Sequence, residues 1–291
     1  MANLSKLLAE RILVCDGAMG TELMRRGAPS NTPGEMLNLD QPELVEAVHR
    51  EYVEAGSDLT ITNTFGATKI KLAKFGLADR AREINLAAVR LAKAAAGDRA
   101  LVGGDLGPTG EMLKPWGPAE PATIRATYFE QVRALAEGGV DCLLLETFFD
   151  LNEALLALEA ALSTGLPVIA SMTFDAKRGS AYTMMGNSAA DCARALDTAG
   201  AVVVGANCSV SIDHMPMIAA ALKSGADVPL ILQPNAGKPE TLRGQTTYRE
   251  TPEHFAALVP DLVRAGARII GGCCGTDARF VRAIREALQK Q

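Results

Sequence analysis

The sequence is poor in aromatic residues, carries no excess of positive charge and contains no long apolar run. Aromatic residues make up 4% of its 291 residues, with a single tryptophan, so the core must be mainly aliphatic. Lys and Arg number 29 against 34 Asp and Glu, and this net charge of −5 disfavours binding to nucleic acid. No stretch of about 18 uncharged apolar residues occurs, so no membrane-spanning helix is predicted.

The amino-terminal segment lacks the features of a signal peptide, because Lys6, Glu10 and Arg11 interrupt any apolar stretch. We therefore expect the protein in the cytoplasm. In a reducing compartment, cysteines are expected to be thiols or metal ligands rather than disulfides. The six cysteines are Cys15, Cys142, Cys192, Cys208, Cys273 and Cys274.

Short apolar runs recur along the whole chain, each nearly continuous in the way of a strand that is buried on both faces. There are eight: Ile12–Cys15, Leu59–Thr62, Ala100–Gly104, Cys142–Leu145, Val168–Ser171, Val202–Gly205, Leu230–Leu232 and Arg268–Gly271. Between them lie segments of helical period. These are Pro42–Ala55, Thr123–Glu137, Asn152–Leu162, Ala189–Ala199, Pro216–Lys223, Pro252–Ala265 and Asp277–Lys290.

This alternation predicts an α/β protein that forms a single (β/α)8 TIM barrel over residues 1–291. The alternative is an open doubly wound sheet in two smaller domains, but the count of eight and the lack of a linker favour the barrel. A dinucleotide site is not expected, because the first turn, Asp16-Gly17-Ala18-Met19-Gly20, has no G-x-G-x-x-G pattern. In a barrel, chemistry is located where the strands end.

Three cysteines follow two of those strands, Cys208 after the sixth and Cys273 with Cys274 after the eighth. Only one strand separates these two in the ring, so the three thiols can converge. Three soft thiolates with one open position describe a catalytic zinc site, suited to activating a substrate thiol for alkyl transfer. A redox-active cysteine pair and inert thiols in a tight turn remain alternatives. We interpret Cys15, Cys142 and Cys192 as core residues. The three histidines, His49, His214 and His254, lie in or next to predicted helices whose outer faces are expected to face solvent, so they are not assigned as ligands or bases.

The strand-end motifs resemble those of the homocysteine S-methyltransferase family, and most of all the zinc barrel of the cobalamin-dependent methionine synthases. The motifs are Asp16-Gly17-Ala18-Met19-Gly20-Thr21-Glu22, Asn63-Thr64-Phe65, Gly107-Pro108-Thr109, Leu145-Glu146-Thr147-Phe148, Gly205-Ala206-Asn207-Cys208, Pro234-Asn235-Ala236-Gly237 and Gly271-Gly272-Cys273-Cys274-Gly275-Thr276. The resemblance implies a zinc enzyme that binds homocysteine as a thiolate and methylates it to methionine.

It also implies roles for particular residues. The zinc ligands correspond to Cys208, Cys273 and Cys274, with Asn235 as the fourth ligand when substrate is absent. Glu146 corresponds to the acceptor for the substrate ammonium group, and the alternative for this residue is a structural carboxylate that ties two loops together. Other substrate-binding candidates are Asp16, the backbone of Gly17 and Ala18, Asn63 and Thr64. Asp16 either accepts from the ammonium or fixes its turn.

The methyl donor is the least defined part of this hypothesis. No D-x-H-x-x-G cobalamin motif is present. The resemblance favours a methylcorrinoid, such as methylcobalamin, carried by a separate protein. The loop Gly110–Pro121, with Trp116, is a candidate docking site for that protein, or else a surface loop that packs on its own barrel.

Other functions remain open at this point. S-methylmethionine, S-adenosylmethionine or betaine could be the donor, and selenocysteine could be the acceptor. A non-catalytic module that binds zinc or thiols would retain the same cysteines.

Overall fold

Eight parallel strands form the central sheet of the computed structural model, in which residues 4–29, 31–177, 179–242 and 245–290 are described. Each of the eight apolar runs predicted as strands overlaps one of them. In chain order the strands are Leu13–Val14, Leu59–Ile61, Leu101–Leu106, Cys142–Phe148, Val168–Met172, Val203–Ser211, Leu230–Asn235 and Ala267–Ile270.

The sheet curves into a nearly closed barrel. Each strand from the second to the seventh pairs in parallel with the next one along the chain, and the eighth pairs with the first. The remaining gap, between the first and second strands, is bridged at Cys15 and Leu59. The prediction of a single α/β domain with a (β/α)8 barrel is therefore confirmed.

Helices surround the sheet, and all seven predicted helices are present with ends within two residues of those expected. The helix Ala81–Ala96, which lies between the second and third strands along the chain, was not predicted. The α-helices in the described ranges are Leu4–Glu10, Met19–Arg25, Leu37–Asp40, Pro42–Ala55, Lys69–Ala73, Ala81–Ala96, Pro121–Gly138, Leu151–Leu162, Ala189–Thr198, Met215–Lys223, Pro252–Arg264 and Ala278–Gln289. None of these has the length and hydropathy needed to cross a membrane.

Two small antiparallel hairpins, also not predicted, extend the loops after the fifth and seventh strands. One pairs Asp175–Lys177 with Ser180–Tyr182, and the other pairs Glu240–Leu242 with Gln245–Thr247. Both lie on the side of the barrel where the strands end. They therefore add wall to the rim around the predicted site.

The barrel interior holds its own apolar cluster, separate from the shell between sheet and helices. Leu4 and Leu8 of the first helix join this interior cluster, so that helix closes the end of the barrel at which the strands begin. On each strand, the side chains of this cluster belong to every second residue, as with Cys142 and Leu144. Within the described ranges, this leaves the opposite end of the barrel, where the strands end, as the open one.

The same alternation leads from the apolar interior to a polar layer at the open end. On five strands, the inward-facing positions are apolar or glycine until the strand nears its end. The next inward-facing position, two residues further along, has a polar side chain. These residues are Asp105, Glu146, Ser171, Asn207 and Gln233, and all but Glu146 are buried. The period of the strands thus supplies a ring of polar groups beneath the predicted site.

Candidate metal and substrate site

Cys208, Cys273 and Cys274 converge at the open end of the barrel. All three are free thiols on partly exposed residues, and their sulfur atoms lie within 4.8 Å of one another. The Sγ atoms of Cys208 and Cys274 are 4.0 Å apart. Tetrahedral zinc with Zn–S bonds of about 2.3 Å would place sulfur atoms about 3.8 Å apart. The cluster is thus close to the spacing that one metal ion requires.

Backbone contacts between neighbouring strand ends hold the cysteines in place. The N–H of Cys273 donates to the carbonyl of Pro234 at 2.8 Å, and the N–H of Ala236 donates to the carbonyl of Cys274 at 2.9 Å. Cys208 itself has a φ of 59°, in the left-handed region that side chains rarely adopt. Strain of this kind persists only where surrounding contacts enforce it, and it is concentrated at functional sites.

The three thiols do not share their protons equally. Hydrogen bonds from Cys208 and Cys273 lower the pKa of Cys274 to about 3. For Cys208, the hydrogen bond with Cys273 lowers the pKa, but the one with Cys274 and burial outweigh it and raise the pKa to about 11. The hydrogen bond with Cys208 raises the pKa of Cys273 as well. The cluster thus consists of one thiolate that accepts from two S–H groups. A soft cation bound among the three sulfur atoms can take the place of those two protons.

Asn235 ends the seventh strand next to this cluster. Its side chain is buried, and its Oδ1 has no hydrogen-bond partner within the described part of the chain. A buried amide oxygen without a partner is costly unless something else satisfies it. The residues present therefore fit a metal ion with three sulfur ligands and one exchangeable oxygen ligand.

Glu146 lies at the end of the fourth strand and is partly exposed to the mouth of the barrel. Burial raises its pKa to about 8, with further contributions from the charges of Cys208 and Asp16. Among the described residues, no donor forms a hydrogen bond with its carboxyl group. It is thus an uncommitted acceptor that faces the thiol cluster.

Asp16 is buried, and contacts within the barrel occupy one of its two oxygens. Its Oδ2 accepts from the N–H of Ile61 at 2.7 Å and from the hydroxyl of Thr60 at 3.0 Å. Burial raises the pKa of Asp16 to about 7, although these hydrogen bonds oppose the shift. Oδ1 receives only a weak contact, at 3.6 Å, from the thiol of Cys15. Asp16 thus anchors its turn and keeps one oxygen for another donor.

The turn that follows, Gly17 and Ala18, packs closely against its neighbours. The N–H of Ala18 donates to Thr276 Oγ1 at 3.3 Å, and the carbonyl of Ala18 accepts from the hydroxyl of Tyr52 at 2.8 Å. A Cβ on Gly17 would lie 2.9 Å from the Tyr52 ring. Glycine is therefore required by close packing at this position.

Two further candidates from the sequence, Asn63 and Thr64, are engaged by the protein itself. The side-chain amide of Asn63 donates to the carbonyl of Gly34 at 2.9 Å and to Asn38 Oδ1 at 3.0 Å. The hydroxyl of Thr64 donates to the carbonyl of Asp105 at 2.8 Å. Both side chains are buried and join the loops around the second strand.

Three residues near the site were not identified from the sequence. Asn207 donates from Nδ2 towards the sulfur of Cys273 at 3.9 Å. Tyr248 packs on Gly275, and its hydroxyl contributes a hydrogen bond that lowers the pKa of Cys274. His49 was expected on the outer, solvent side of its helix, but it is fully buried and contacts Thr60 Oγ1 at 3.0 Å.

A barrel with a thiol cluster at its open end and a free carboxyl facing it is suited to holding a soft metal ion beside a ligand that donates hydrogen bonds. The family model described as homocysteine S-methyltransferase matches residues 13–288 of the chain. The chain therefore belongs to the homocysteine S-methyltransferase family.

Two curated relatives are methionine synthases. The chain is 31% identical to that of Mycobacterium tuberculosis and 30% identical to that of Mycobacterium leprae, over 98% and 99% of its length. It spans 25% of the length of each of these relatives. The chain is also similar to a crystal structure of the homocysteine methyltransferase MmuM from Escherichia coli in its metallated form. That match has a TM-score of 0.81 and 26% identity and covers 97% of this chain and 99% of the other.

Proposed function

We propose that this protein transfers a methyl group to the sulfur of homocysteine and so forms methionine. The observation that carries the proposal is the cluster of Cys208, Cys273 and Cys274 at the barrel mouth, with Glu146 as an uncommitted acceptor facing it. Membership of the homocysteine S-methyltransferase family supports homocysteine as the methyl acceptor.

The three cysteines would hold a zinc ion, with Asn235 Oδ1 as a fourth, exchangeable ligand. Soft sulfur ligands at this spacing favour zinc over hard cations. When bound, zinc would lower the pKa of the substrate thiol, so that the sulfur is a nucleophile at neutral pH. Because the amide oxygen of Asn235 is neutral, it can give way to an incoming thiol without leaving a charge unpaired.

The remaining residues would bind and orient the amino-acid end of the substrate. Glu146 would accept from the substrate ammonium, and Asp16 would add a second acceptor through Oδ1. The new bond joins sulfur to the methyl carbon, and the electron pair of the broken bond stays with the donor. Correct alignment of sulfur, carbon and leaving group is the main contribution that a rigid site can make.

For the donor, we propose a methylcorrinoid carried by a separate protein. The similarity to two methionine synthases over nearly the whole chain supports this choice. S-methylmethionine, S-adenosylmethionine and betaine are the alternatives, and selenocysteine is an alternative acceptor.

Two measurements test the proposal. Metal analysis of the purified protein should find about one zinc per chain, which Cys273→Ala should remove. Cys192→Ala is the matched control, because Cys192 is a buried thiol outside the cluster. Equal zinc content in wild type and Cys273→Ala would exclude the proposed ligand set.

Activity is then measured with homocysteine and each donor in turn. Methionine formation from methylcobalamin or a methylcorrinoid protein is the expected result. Turnover only with a sulfonium donor or betaine would retain the acceptor and change the donor. Zinc binding with no methionine from any donor would indicate a non-catalytic module.

A further inference from the structure

Asp105 ends the inward alternation of the third strand, and its side chain is unexplained by the fold. The residue is 4% exposed, and its Oδ1 atom is buried with no hydrogen-bond partner among the described residues. Hydrogen bonds to other described residues involve only its backbone. Its N–H donates to Thr62 Oγ1 at 3.0 Å, and its carbonyl accepts from the hydroxyl of Thr64 at 2.8 Å.

The surroundings of this carboxyl group are unfavourable in the free protein. Burial raises the pKa of Asp105 well above its ordinary value, and the carboxylates of Glu146, Glu35 and Asp16 add to the shift. Lys71 opposes it more weakly. An unpaired buried carboxyl lowers stability, so a residue that serves the fold alone would have a partner here.

The unpartnered atoms of the polar layer share one property. Besides Asp105 Oδ1, the layer has one such atom, Gln233 Oε1, and both are hydrogen-bond acceptors. The group that satisfies such a surface must therefore bring donors. An ammonium group brings three N–H donors and a positive charge, which also suits the neighbouring carboxylates.

Asp105 and Glu146 are close neighbours in this layer. They stand on adjacent strands, and the register pairs Asp105 with Leu144, two residues before Glu146. Both side chains follow the inward alternation of their strands. Two carboxyl groups on adjacent strands can thus bind the same cationic group at the mouth of the barrel.

We propose that Asp105 is a substrate-binding residue that accepts a hydrogen bond from the ammonium of homocysteine, alongside Glu146. This inference rests on the proposed function, since it assumes that homocysteine is the ligand. It adds a selectivity element, because a thiol without an α-ammonium would leave both carboxyl groups unpaired.

The test compares two thiols on the zinc-loaded full chain by calorimetry. The first is L-homocysteine, and the second is 4-mercaptobutyrate, in which hydrogen replaces the ammonium. For Asp105→Asn we expect the Kd of homocysteine to rise about 10- to 100-fold, as for loss of a charge-assisted hydrogen bond, and the Kd of 4-mercaptobutyrate to change less than about 2-fold. Thermal unfolding should show no loss of stability.

Asp141→Asn is the matched control. Asp141 accepts from the N–H of Val102 at 2.8 Å where the fourth strand begins, at the far end of the barrel. This substitution should lower stability and leave both Kd values unchanged.

Each other outcome contradicts the inference in a distinct way. Unchanged homocysteine binding by Asp105→Asn would overturn the role of Asp105 and leave the proposed function intact. An equal loss for both thiols, or a lower melting temperature, would mark Asp105 as structural. If wild-type protein bound neither thiol, the proposed function would fail, and this inference with it.

Discussion

The side chain of Asn207 binds the backbone and the hydroxyl of Thr147 at the same time. Its Oδ1 accepts from the N–H of Thr147 at 2.8 Å, and its Nδ2 donates to Thr147 Oγ1 at 2.7 Å. Thr147 has a φ of 62°, which is rare for a β-branched residue. Asn207 immediately precedes Cys208, and Thr147 immediately follows Glu146. One side chain therefore couples the thiol cluster to the proposed ammonium acceptor.

We predict that Asn207→Ala impairs the enzyme and destabilises the fold to a similar extent. Loss of the two hydrogen bonds should cost about 1–3 kcal/mol of stability, because Thr147 would no longer be held against its strain. We expect kcat/KM for homocysteine to fall about 10- to 100-fold, which corresponds to about 1.4–2.7 kcal/mol of transition-state stabilisation. Steady-state kinetics and zinc analysis would measure this, and zinc content should be retained.

A second substitution distinguishes strain from general damage. Thr147→Gly permits a positive φ without a steric penalty, so it should restore part of the activity in the Asn207→Ala background. If the double variant is no more active than Asn207→Ala alone, the backbone of Thr147 is not the reason for the loss.

Gly17→Ala should displace the turn that carries Asp16 and Ala18. The added Cβ would lie 2.9 Å from the Tyr52 ring and 3.0 Å from Thr276 Oγ1. We expect a loss of about 1–3 kcal/mol in the free energy of unfolding and a higher KM for homocysteine. Denaturant unfolding and initial rates would measure the two effects.

Gly20→Ala provides the matched control for this substitution. A Cβ on Gly20 meets no atom within 4 Å, and the residue lies in the helix Met19–Arg25. Alanine should therefore stabilise the helix by up to about 1 kcal/mol and leave KM unchanged. Similar effects at both positions would rule out close packing as the cause.

The sequence was sufficient for the parts of the fold that depend on local pattern. Buried parallel strands are continuous apolar runs, so all eight could be located, and the cysteines after the sixth and eighth followed from the strand count. The contact between Asn207 and Thr147 joins residues 60 positions apart. No local pattern encodes such a pair, which depends on the register of the fourth, fifth and sixth strands.

The errors in the prediction have similarly specific physical causes. The helices around a barrel have an inner face as well as an outer one, and His49 lies on the inner face of Pro42–Ala55. The hairpin strands are only three residues long and lack an apolar run. Tyr248 reaches Gly275 only because the second hairpin returns the chain to the rim.

Trp116→Ala tests the proposed docking of a corrinoid protein. The side chain is 75% exposed, whereas Leu113 in the same loop is 4% exposed and anchors it. Exposed tryptophans often dominate the binding energy of an interface. We expect the KM for a methylcorrinoid-protein donor to rise about 10-fold, with Trp116→Phe near wild type. The KM for free methylcobalamin should stay the same, and an unchanged KM for the protein donor would refute docking at this residue.

The buried His49 predicts how stability depends on pH. The hydroxyl of Thr60 donates its single proton to Asp16 Oδ2, so His49 Nδ1 must donate to Thr60 Oγ1. Protonation of the ring would add a second N–H at Nε2, which is buried and has no partner among the described residues, so the neutral ring is favoured. Burial lowers the pKa of His49 from 6.5 to about 4.

Because the unfolded chain binds this proton more readily, stability should be full above pH 6.5 and fall as the pH drops towards 4. The shift corresponds to about 3 kcal/mol. Asp16 acts in the opposite sense, since its raised pKa favours the fold at low pH. The informative quantity is therefore the difference between wild type and His49→Gln. In denaturant titrations, this variant should gain on wild type by up to about 3 kcal/mol between pH 6.5 and 4. Parallel pH curves for wild type and His49→Gln would show that His49 does not titrate with folding.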